Sequence, residues 1–250
     1  MKILSSKSIK GIGHFNNDIC DKNGNFAYVI DGATAVFNDN LFFKTSDLFE
    51  YMQLLKKNIN NYGYITTNIE KGIQKSNQEL RNYKKYKEYR LPTFTISAIK
   101  EYQKYYELYL LCDCLISILY KDGRIETIQD HRFDKTEKKC EEEYKKINSR
   151  KISKKEKSNL RKKVLRKCRK YANVAGGYPV GSTNPKRLKR GITKKIEKAN
   201  IKKILICTDG LYNTIGMPTE ESFFNKISLE NKIANNKNYD DLTYILISNT

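Results

Sequence analysis

The sequence predicts a layered α+β fold, in which antiparallel strands pack against helices. Short apolar runs bounded by Asn, Asp and Gly recur along the 250-residue chain, as strands do in such folds. Other segments repeat apolar residues at the spacing of an amphipathic helix. The tripeptide Lys121-Asp122-Gly123 has the composition of a tight hairpin turn, so the runs on either side of it should pair in antiparallel fashion.

The individual elements follow from these patterns in chain order. The N-terminal part reads as strand, loop, strand, and the strands predicted from there onward are 26–30, 93–99, 107–111, 115–120, 124–128, 202–208 and 242–248. Run 93–99 alternates like a half-buried strand, whereas 202–208 and 242–248 are almost continuously apolar and should be central. Helices are predicted over about 44–60, 66–86 and 218–235, and a polar helical segment over 135–171.

Composition limits the organisation and location of the chain. No clear linker divides it, so one domain is predicted over residues 1–250, with a basic helical segment at about 135–171. No run of about 18 apolar residues is present and the N-terminus lacks signal-peptide features, so we predict a cytoplasmic protein without a transmembrane helix. The chain has only two His, and Cys112 and Cys207 lie in apolar runs, so neither a zinc site nor a disulfide framework is predicted.

The formal charge of +20 is concentrated in the stretch 138–170. Such a stretch can attract nucleic acid, an anionic membrane surface or an acidic protein. It can equally be the solvated face of helices, which is the interpretation we favour. Nucleic-acid binding is not favoured because the stretch has few interleaved aromatic residues and no nucleic-acid motif.

Aspartates at the ends of predicted strands are the main chemical signal. Asp31 and Asp209 each end an apolar run and precede Gly, Asp113 ends another run, and Asp240-Asp241 precedes the last one. Two carboxylates about 4 Å apart repel by roughly 4 kcal/mol at an effective dielectric of about 20, so their convergence calls for a cation. Hard ions such as Mg²⁺ and Mn²⁺ prefer oxygen ligands of this kind. The pattern therefore predicts a metal site on a β scaffold, the alternative for each residue being an Asp in a turn or loop.

Short motifs around these aspartates recur in a recognisable order along nearly the whole chain. They are Asn16-Asn17-Asp18, Val29-Ile30-Asp31-Gly32, Leu111-Cys112-Asp113-Cys114, Ile128-Gln129-Asp130-His131, Ala175-Gly176-Gly177, Cys207-Thr208-Asp209-Gly210-Leu211 and Tyr239-Asp240-Asp241-Leu242-Thr243. Together they resemble the motifs of the metal-dependent protein Ser/Thr phosphatases of the 2C type. The resemblance implies a four-layer α-β-β-α sandwich of two mostly antiparallel sheets, with the metal site at one end.

The same resemblance implies a site for two divalent ions, Mg²⁺ or Mn²⁺, with an optional third. Asp31 would bridge the two ions, Asp209 and Asp240 would complete one of them, and these three residues form the expected catalytic set. The Gly32 carbonyl would help to hold the other ion, Asp18 would act directly or through water, and Asp113 would serve the third ion. The implied reaction is hydrolysis of phosphoserine and phosphothreonine in proteins by a metal-activated water.

Two groups that the family often has are absent. Gly13 stands where an Arg usually holds the substrate phosphate, with His14 or Lys10 as substitutes that the spacing does not establish. Ala33 stands where a His often follows Asp-Gly, which leaves leaving-group protonation to water, to Thr34 or to a distant His. The family's Ser-Arg-x-x-Gly-Asp stretch is also not recognisable. The alternative function is therefore a catalytically weak or inactive phosphatase-like module that binds a phosphorylated partner.

Overall fold

The computed structural model describes residues 1–33, 36–37, 40–237 and 240–249. Its strands are β1 (Lys2–Ile9), β2 (Ile19–Asn23), β3 (Phe26–Gly32), β4 (Thr93–Glu101), β5 (Tyr105–Leu111), β6 (Leu115–Tyr120), β7 (Ile125–Ile128), β8 (Gly181–Ser182), β9 (Ile192–Glu197), β10 (Ile201–Cys207) and β11 (Leu242–Ser248). Its α-helices are α1 (Asp47–Asn58), α2 (Ile65–Ser76), α3 (Asp134–Asn148), α4 (Lys154–Arg169), α5 (Asp209–Ile215) and α6 (Lys226–Ala234).

The strands form two sheets in which every described pair is antiparallel. One sheet has the order β1-β11-β10-β6-β7, and the other has the order β2-β3-β4-β5-β9, with β8 paired to β4. The apolar strands β10 and β11 lie inside the first sheet, as their composition predicted. Gly123 closes the β6–β7 hairpin with a φ of 87°, a conformation that favours glycine.

Apolar side chains sort into layers because neighbours along a strand point to opposite faces. Val29 of β3 lies between the two sheets together with Ile116 of β6. Tyr28, its neighbour in β3, packs instead with Met52 of α1 in a core that also contains residues of α2. On the far side of the first sheet, Leu229 of α6 packs in a core that includes residues of α5 and β10. This is the predicted α-β-β-α arrangement.

Two predictions about individual elements are wrong. The helix predicted over 66–86 ends at Ser76, and a 3-10 turn over residues 77–79 replaces the α-helix from Asn77. The side-chain amide nitrogen of Asn77 donates to the Thr183 carbonyl at 2.7 Å, and its amide oxygen accepts from the Tyr51 hydroxyl at 3.0 Å. Strand β4, predicted to be half-buried, is buried on both faces over Thr93–Lys100, since helices cover one face and the other sheet covers the opposite one.

The basic segment folds into helices α3 and α4, which pack on each other. A capping box begins α4, in which the Ser153 hydroxyl accepts from the Glu156 amide at 3.2 Å and the Glu156 carboxylate accepts from the Ser153 amide at 2.9 Å. No disulfide framework was predicted, yet Cys140 of α3 and Cys168 of α4 form a disulfide bond. Among the described residues, no helix is both long enough and apolar enough to cross a membrane.

Candidate metal centre

Asp31 and Asp209 lie at the ends of strands from different sheets. Asp31 is the second-last residue of β3 and is paired in register with Thr95 of β4. Asp209 follows β10 and is the first residue of α5. The two carboxyl groups lie close enough across the sandwich for each to affect the pKa of the other. Residues 178 positions apart in the chain therefore meet at one end of the fold.

The glycines of the Asp-Gly pairs allow other segments to approach the site closely. A Cβ on Gly32 would lie 2.7 Å from the Asn17 carbonyl oxygen, and a Cβ on Gly210 would lie 1.9 Å from the Asp241 carbonyl oxygen. Both distances are shorter than real Cβ contacts. A Cβ on Gly11 would likewise lie 2.4 Å from the Asp240 carbonyl carbon. Glycine is thus required where the predicted site segments pack backbone against backbone.

Asp18 is held beside the other two aspartates by its neighbours. Its side chain is 4% exposed, and one of its carboxylate oxygens accepts a hydrogen bond of 2.7 Å from the Thr208 hydroxyl. Thr208 directly precedes Asp209, and its hydroxyl also accepts a 3.0 Å hydrogen bond from the Thr243 amide. The charge of Asp18 in turn raises the pKa of Asp31, so the two carboxyl groups lie near each other. The hydroxyl of Thr208 therefore connects the end of β10 to β11 and to Asp18, the residue before β2.

The two adjacent acids at the start of β11 have different surroundings. Asp241 accepts backbone hydrogen bonds from Gly11 at 2.9 Å and from Asn17 at 2.7 Å, so its carboxylate organises the N-terminal loop. The charge of the Asp240 carboxylate raises the pKa of both Asp31 and Asp209. The charge of Asp241 raises the pKa of Asp18, so both acids lie near the carboxylate cluster, and Asp241 is the one whose oxygens are engaged by the N-terminal loop.

Asp113 lies in the tight turn between β5 and β6. Cys112 before it has a φ of 64°, and the Tyr212 hydroxyl donates to the Asp113 carbonyl at 2.8 Å. One carboxylate oxygen of Asp113 is buried without a hydrogen-bond partner. The turn is also held by Asp130, whose carboxylate accepts a 3.2 Å hydrogen bond from the Cys112 amide.

His131 lines the same cavity as Asp113, and its ring is paired with a neighbouring acid. Its Nδ1 lies 2.9 Å from a carboxylate oxygen of Asp134 at the start of α3, and both side chains are well exposed. Asp130 beside it binds the guanidinium of Arg132 through two hydrogen bonds, of 2.6 and 2.5 Å. These contacts fit a structural, hydrogen-bonding role for His131.

Burial raises the pKa of every carboxyl group in the cluster, and mutual repulsion adds to the effect in Asp18, Asp31 and Asp209. Burial raises the pKa of Asp18 to about 8, with the charges of Asp209 and Asp241 acting in the same direction and the Thr208 hydrogen bond opposing them. Burial also raises the pKa of Asp31 well above its usual range, and the nearby charges of Asp18, Asp113 and Asp240 add to the effect.

The carboxyl groups of Asp209, Asp113 and Asp240 also have raised pKa values. Burial is the largest cause of the raised pKa in all three. For Asp209 the charges of Asp31, Asp113 and Asp240 add to burial. These carboxyl groups would repel one another if all of them were ionised, and a bound cation would reduce that repulsion.

The donor set fits a divalent metal. Among the residues that the structure describes, no three His, Cys, Asp or Glu side chains already stand in a metal-binding arrangement. The Asp31 and Asp209 carboxyl groups nevertheless lie near each other, and the charge of Asp31 raises the pKa of Asp209. The buried, unpartnered oxygens of Asp113 and Asn17 are further hard donors. Such an all-oxygen set suits Mg²⁺ or Mn²⁺.

An acidic cavity of about 350 Å³ opens beside the cluster. Asp113 and Tyr212 line it together with Glu137 and Glu141 of α3. Burial raises the pKa of Glu137, and the charge of Asp113 adds to the effect. This side of the site suits cations better than phosphate.

The residues considered as substitutes for the absent Arg and His either lie on the surface or make other contacts, or fall outside the described residues. Lys10 donates to the Gly13 carbonyl at 3.0 Å, and the His14 side chain is exposed. Thr34 and Tyr239 lie outside the described residues. The sequence reasoning did not single out Arg169, whose guanidinium interacts electrostatically with Asp31 and Asp113. No motif marks this residue, because it is one basic residue among many in the segment 138–170.

Comparison with solved structures identifies the fold. The chain is similar to the serine/threonine phosphatase Stp1 from Staphylococcus aureus, with 14% identity, coverage of 99% of this chain and 95% of that one, and a TM-score of 0.61. It is similar to the PPM Ser-Thr phosphatase MsPP from Mycobacterium smegmatis in complex with cacodylate, at 13% identity, 99% coverage of each chain and a TM-score of 0.58. No protein-family model matches the sequence, and no curated protein matches it significantly.

A further similar structure contains metal. It is the catalytic domain of the serine threonine protein phosphatase PstP in complex with two manganese ions. The identity is 14%, the coverage is 98% of this chain and 96% of that one, and the TM-score is 0.56. Likenesses at these identities establish the fold, which confirms the architecture that the sequence motifs predicted.

Proposed function

We propose that this chain, which has the fold of the metal-dependent Ser/Thr phosphatases, hydrolyses phosphoserine and phosphothreonine in proteins with Mg²⁺ or Mn²⁺. The observation that carries the proposal is the carboxylate cluster. Asp18, Asp31, Asp113, Asp209 and Asp240 come from separate segments, interact with one another and have raised pKa values. Purely structural turn aspartates would have no reason to meet in this way.

Each residue has a role that its surroundings support. Asp31 interacts electrostatically with both Asp18 and Asp209, so it is the residue best positioned to serve two ions. Asp209 and Asp240 complete one ion position, the Gly32 carbonyl helps with the other, and Asp113 serves an optional third ion. When bound, two divalent ions activate the attacking water and neutralise charge on the phosphoryl oxygens. The protein holds these ligands in place through Thr208 and the close-packed glycines.

The first test is metal-dependent hydrolysis of an aryl phosphate and of a phosphoserine peptide. Asp31→Asn and Asp209→Asn should each lower kcat/KM by at least about 100-fold, which corresponds to about 2.7 kcal/mol of barrier. The matched control is Asp122→Asn, which alters an exposed Asp-Gly turn between β6 and β7 and should leave the rate unchanged. A rate that survives a chelator, or equal rates in all four proteins, would contradict the proposal.

A weakly active or inactive binding module is the second candidate, and Ala33 is the observation that favours it. General acid catalysis by a side chain typically contributes about 10²–10⁴-fold, and Ala33 has no group that could provide it. Titration with Mn²⁺ and with a phosphopeptide separates the two candidates. Tight binding of both without turnover supports the module, and binding with turnover supports the enzyme.

The location and the charged surface are also part of the proposal. We propose a cytoplasmic protein whose partner is a phosphorylated protein, and cell fractionation checks the location. Nucleic-acid binding through α3 and α4 is the less favoured use of the basic surface. It would appear as an affinity for DNA or RNA that falls steeply as salt rises.

A further inference from the structure

One arginine of the basic segment reaches the carboxylate cluster. Arg169 is the last residue of α4, and its side chain is only partly exposed. Its guanidinium donates a hydrogen bond to the Thr93 hydroxyl at the start of β4. The Thr93 carbonyl in turn accepts a 3.0 Å hydrogen bond from the Ala33 amide, directly after Asp31 and Gly32. The guanidinium is therefore anchored next to the strand end that carries the central aspartate.

Neighbouring contacts hold the C-terminal end of α4 in this place. Arg166, one turn earlier, donates from Nε to the Val36 carbonyl, and its guanidinium lies 5.7 Å from the centre of the Phe37 ring. The Tyr178 hydroxyl donates to the Cys168 carbonyl at 3.4 Å, and Cys168 is bonded to Cys140 of α3. The helix end is thus attached both to the loop after Asp31 and to α3.

The Arg169 guanidinium lies within reach of the charges of the cluster. Burial lowers the pKa of Arg169, and the charges of Tyr178, Asp31 and Asp113 act in the opposite direction. A planar guanidinium offers a fork of donors that matches the oxygens of a phosphoryl group, and such charge-assisted hydrogen bonds are strong. Cations bound by Asp31 and Asp113 would neutralise these carboxylates, so that the positive charge of the guanidinium would act on a phosphoryl oxygen bound beside them.

Gly13 occupies the N-terminal position at which the resembled family often has an Arg that holds the substrate phosphate, and glycine has no side chain. Ala33, which follows Asp31 and Gly32, has only a methyl group. We propose that Arg169 binds the phosphoryl group of the substrate, and that α4 thereby provides from its C-terminus the positive charge that the N-terminal loop lacks. This inference rests on the proposed phosphatase function. It assigns a phosphate-binding residue and gives part of the basic segment a role in the site.

The test compares Arg169→Met and Arg169→Lys with Arg161→Met, which removes one charge from the exposed part of the same helix. Binding of inorganic phosphate is measured in Mn²⁺ as protection against thermal unfolding, and as inhibition of peptide hydrolysis. For Arg169→Met we expect phosphate to bind roughly 10- to 100-fold more weakly and KM for a phosphopeptide to rise, as expected from the loss of hydrogen bonds to a charged group. Arg169→Lys should recover part of the loss, and Arg161→Met should resemble the wild type.

The outcomes separate this inference from the proposed function. Unchanged phosphate affinity in Arg169→Met or, if that variant does not fold, in Arg169→Lys would overturn the inference, even if the wild type is an active phosphatase. If the wild type shows no turnover but its protection by phosphate depends on Arg169, the inference stands and the hydrolytic function fails. Mn²⁺ binding, measured separately by calorimetry, should stay within about twofold of the wild type in all variants. A large loss of Mn²⁺ affinity in Arg169→Lys would instead indicate a structural role and refute the assignment.

Discussion

The raised pKa of Asp18 predicts an unusual dependence of stability on pH in the metal-free protein. Its pKa in the folded state is about 8, against an ordinary value of 3.8. The folded state therefore holds a proton that the unfolded state has lost between these values. Stability should fall as pH rises from about 4 towards 8 and then level off, since the slope of the free energy of unfolding follows the difference in bound protons.

The perturbation that isolates this effect is Asp18→Asn. The amide keeps an oxygen that can accept the Thr208 hydrogen bond, and it removes the charge. The Asp18 side chain is 4% exposed, and the shift in its pKa corresponds to at most on the order of 6 kcal/mol at pH 8. Part of this is shared with Asp31 and Asp209, so we expect the variant to be more stable than the wild type by about 2–4 kcal/mol at pH 8.

Urea unfolding in a chelator at pH 5 and pH 8 measures the effect. The wild type should lose stability between the two pH values, and Asp18→Asn should lose clearly less. The control is Asp21→Asn, a carboxylate nearby in β2 that accepts a 2.8 Å hydrogen bond from the Lys22 amide. In Mn²⁺ the order should reverse, because the ion stabilises only a protein that retains its ligands. Parallel pH profiles for the wild type and Asp18→Asn would refute the reasoning.

The remaining predictions concern packing and the disulfide. Gly210→Ala should destabilise the protein by more than about 2 kcal/mol and weaken Mn²⁺ binding, since the added Cβ would meet the Asp241 carbonyl oxygen at 1.9 Å. Gly63→Ala, where the added Cβ meets nothing within 4 Å, is the control in the same unfolding assay, and equal losses would contradict the close approach. Reduction of the Cys140–Cys168 bond, which spans 28 positions, should lower stability by at most about 3.6 kcal/mol. Thermal unfolding with and without reductant measures this, and an identical melting temperature after verified reduction would exclude a stabilising role.

Much of the architecture could be predicted because its signals are local. The strands around Asp31 and Asp209 are marked by apolar runs that end in Asp-Gly, and the β6–β7 hairpin is marked by Asp122-Gly123. The end of α2 could not be predicted in this way. At Asn77, where a 3-10 turn replaces the α-helix, the side chain bonds to Thr183, which lies 106 residues away, and no local pattern records that contact.

The candidate site also has some features that local sequence predicts and others that depend on tertiary contacts. The sequence by itself determined which carboxylates stand at strand ends, because turn chemistry and apolar periodicity are properties of neighbouring residues. Only the tertiary structure showed the contacts of Asp241 with the N-terminal loop, paired Cys140 with Cys168 and placed Arg169 where the charge of Asp31 acts on it. Such contacts depend on the order of strands in two sheets and on how α3 and α4 pack, which join residues far apart in the chain.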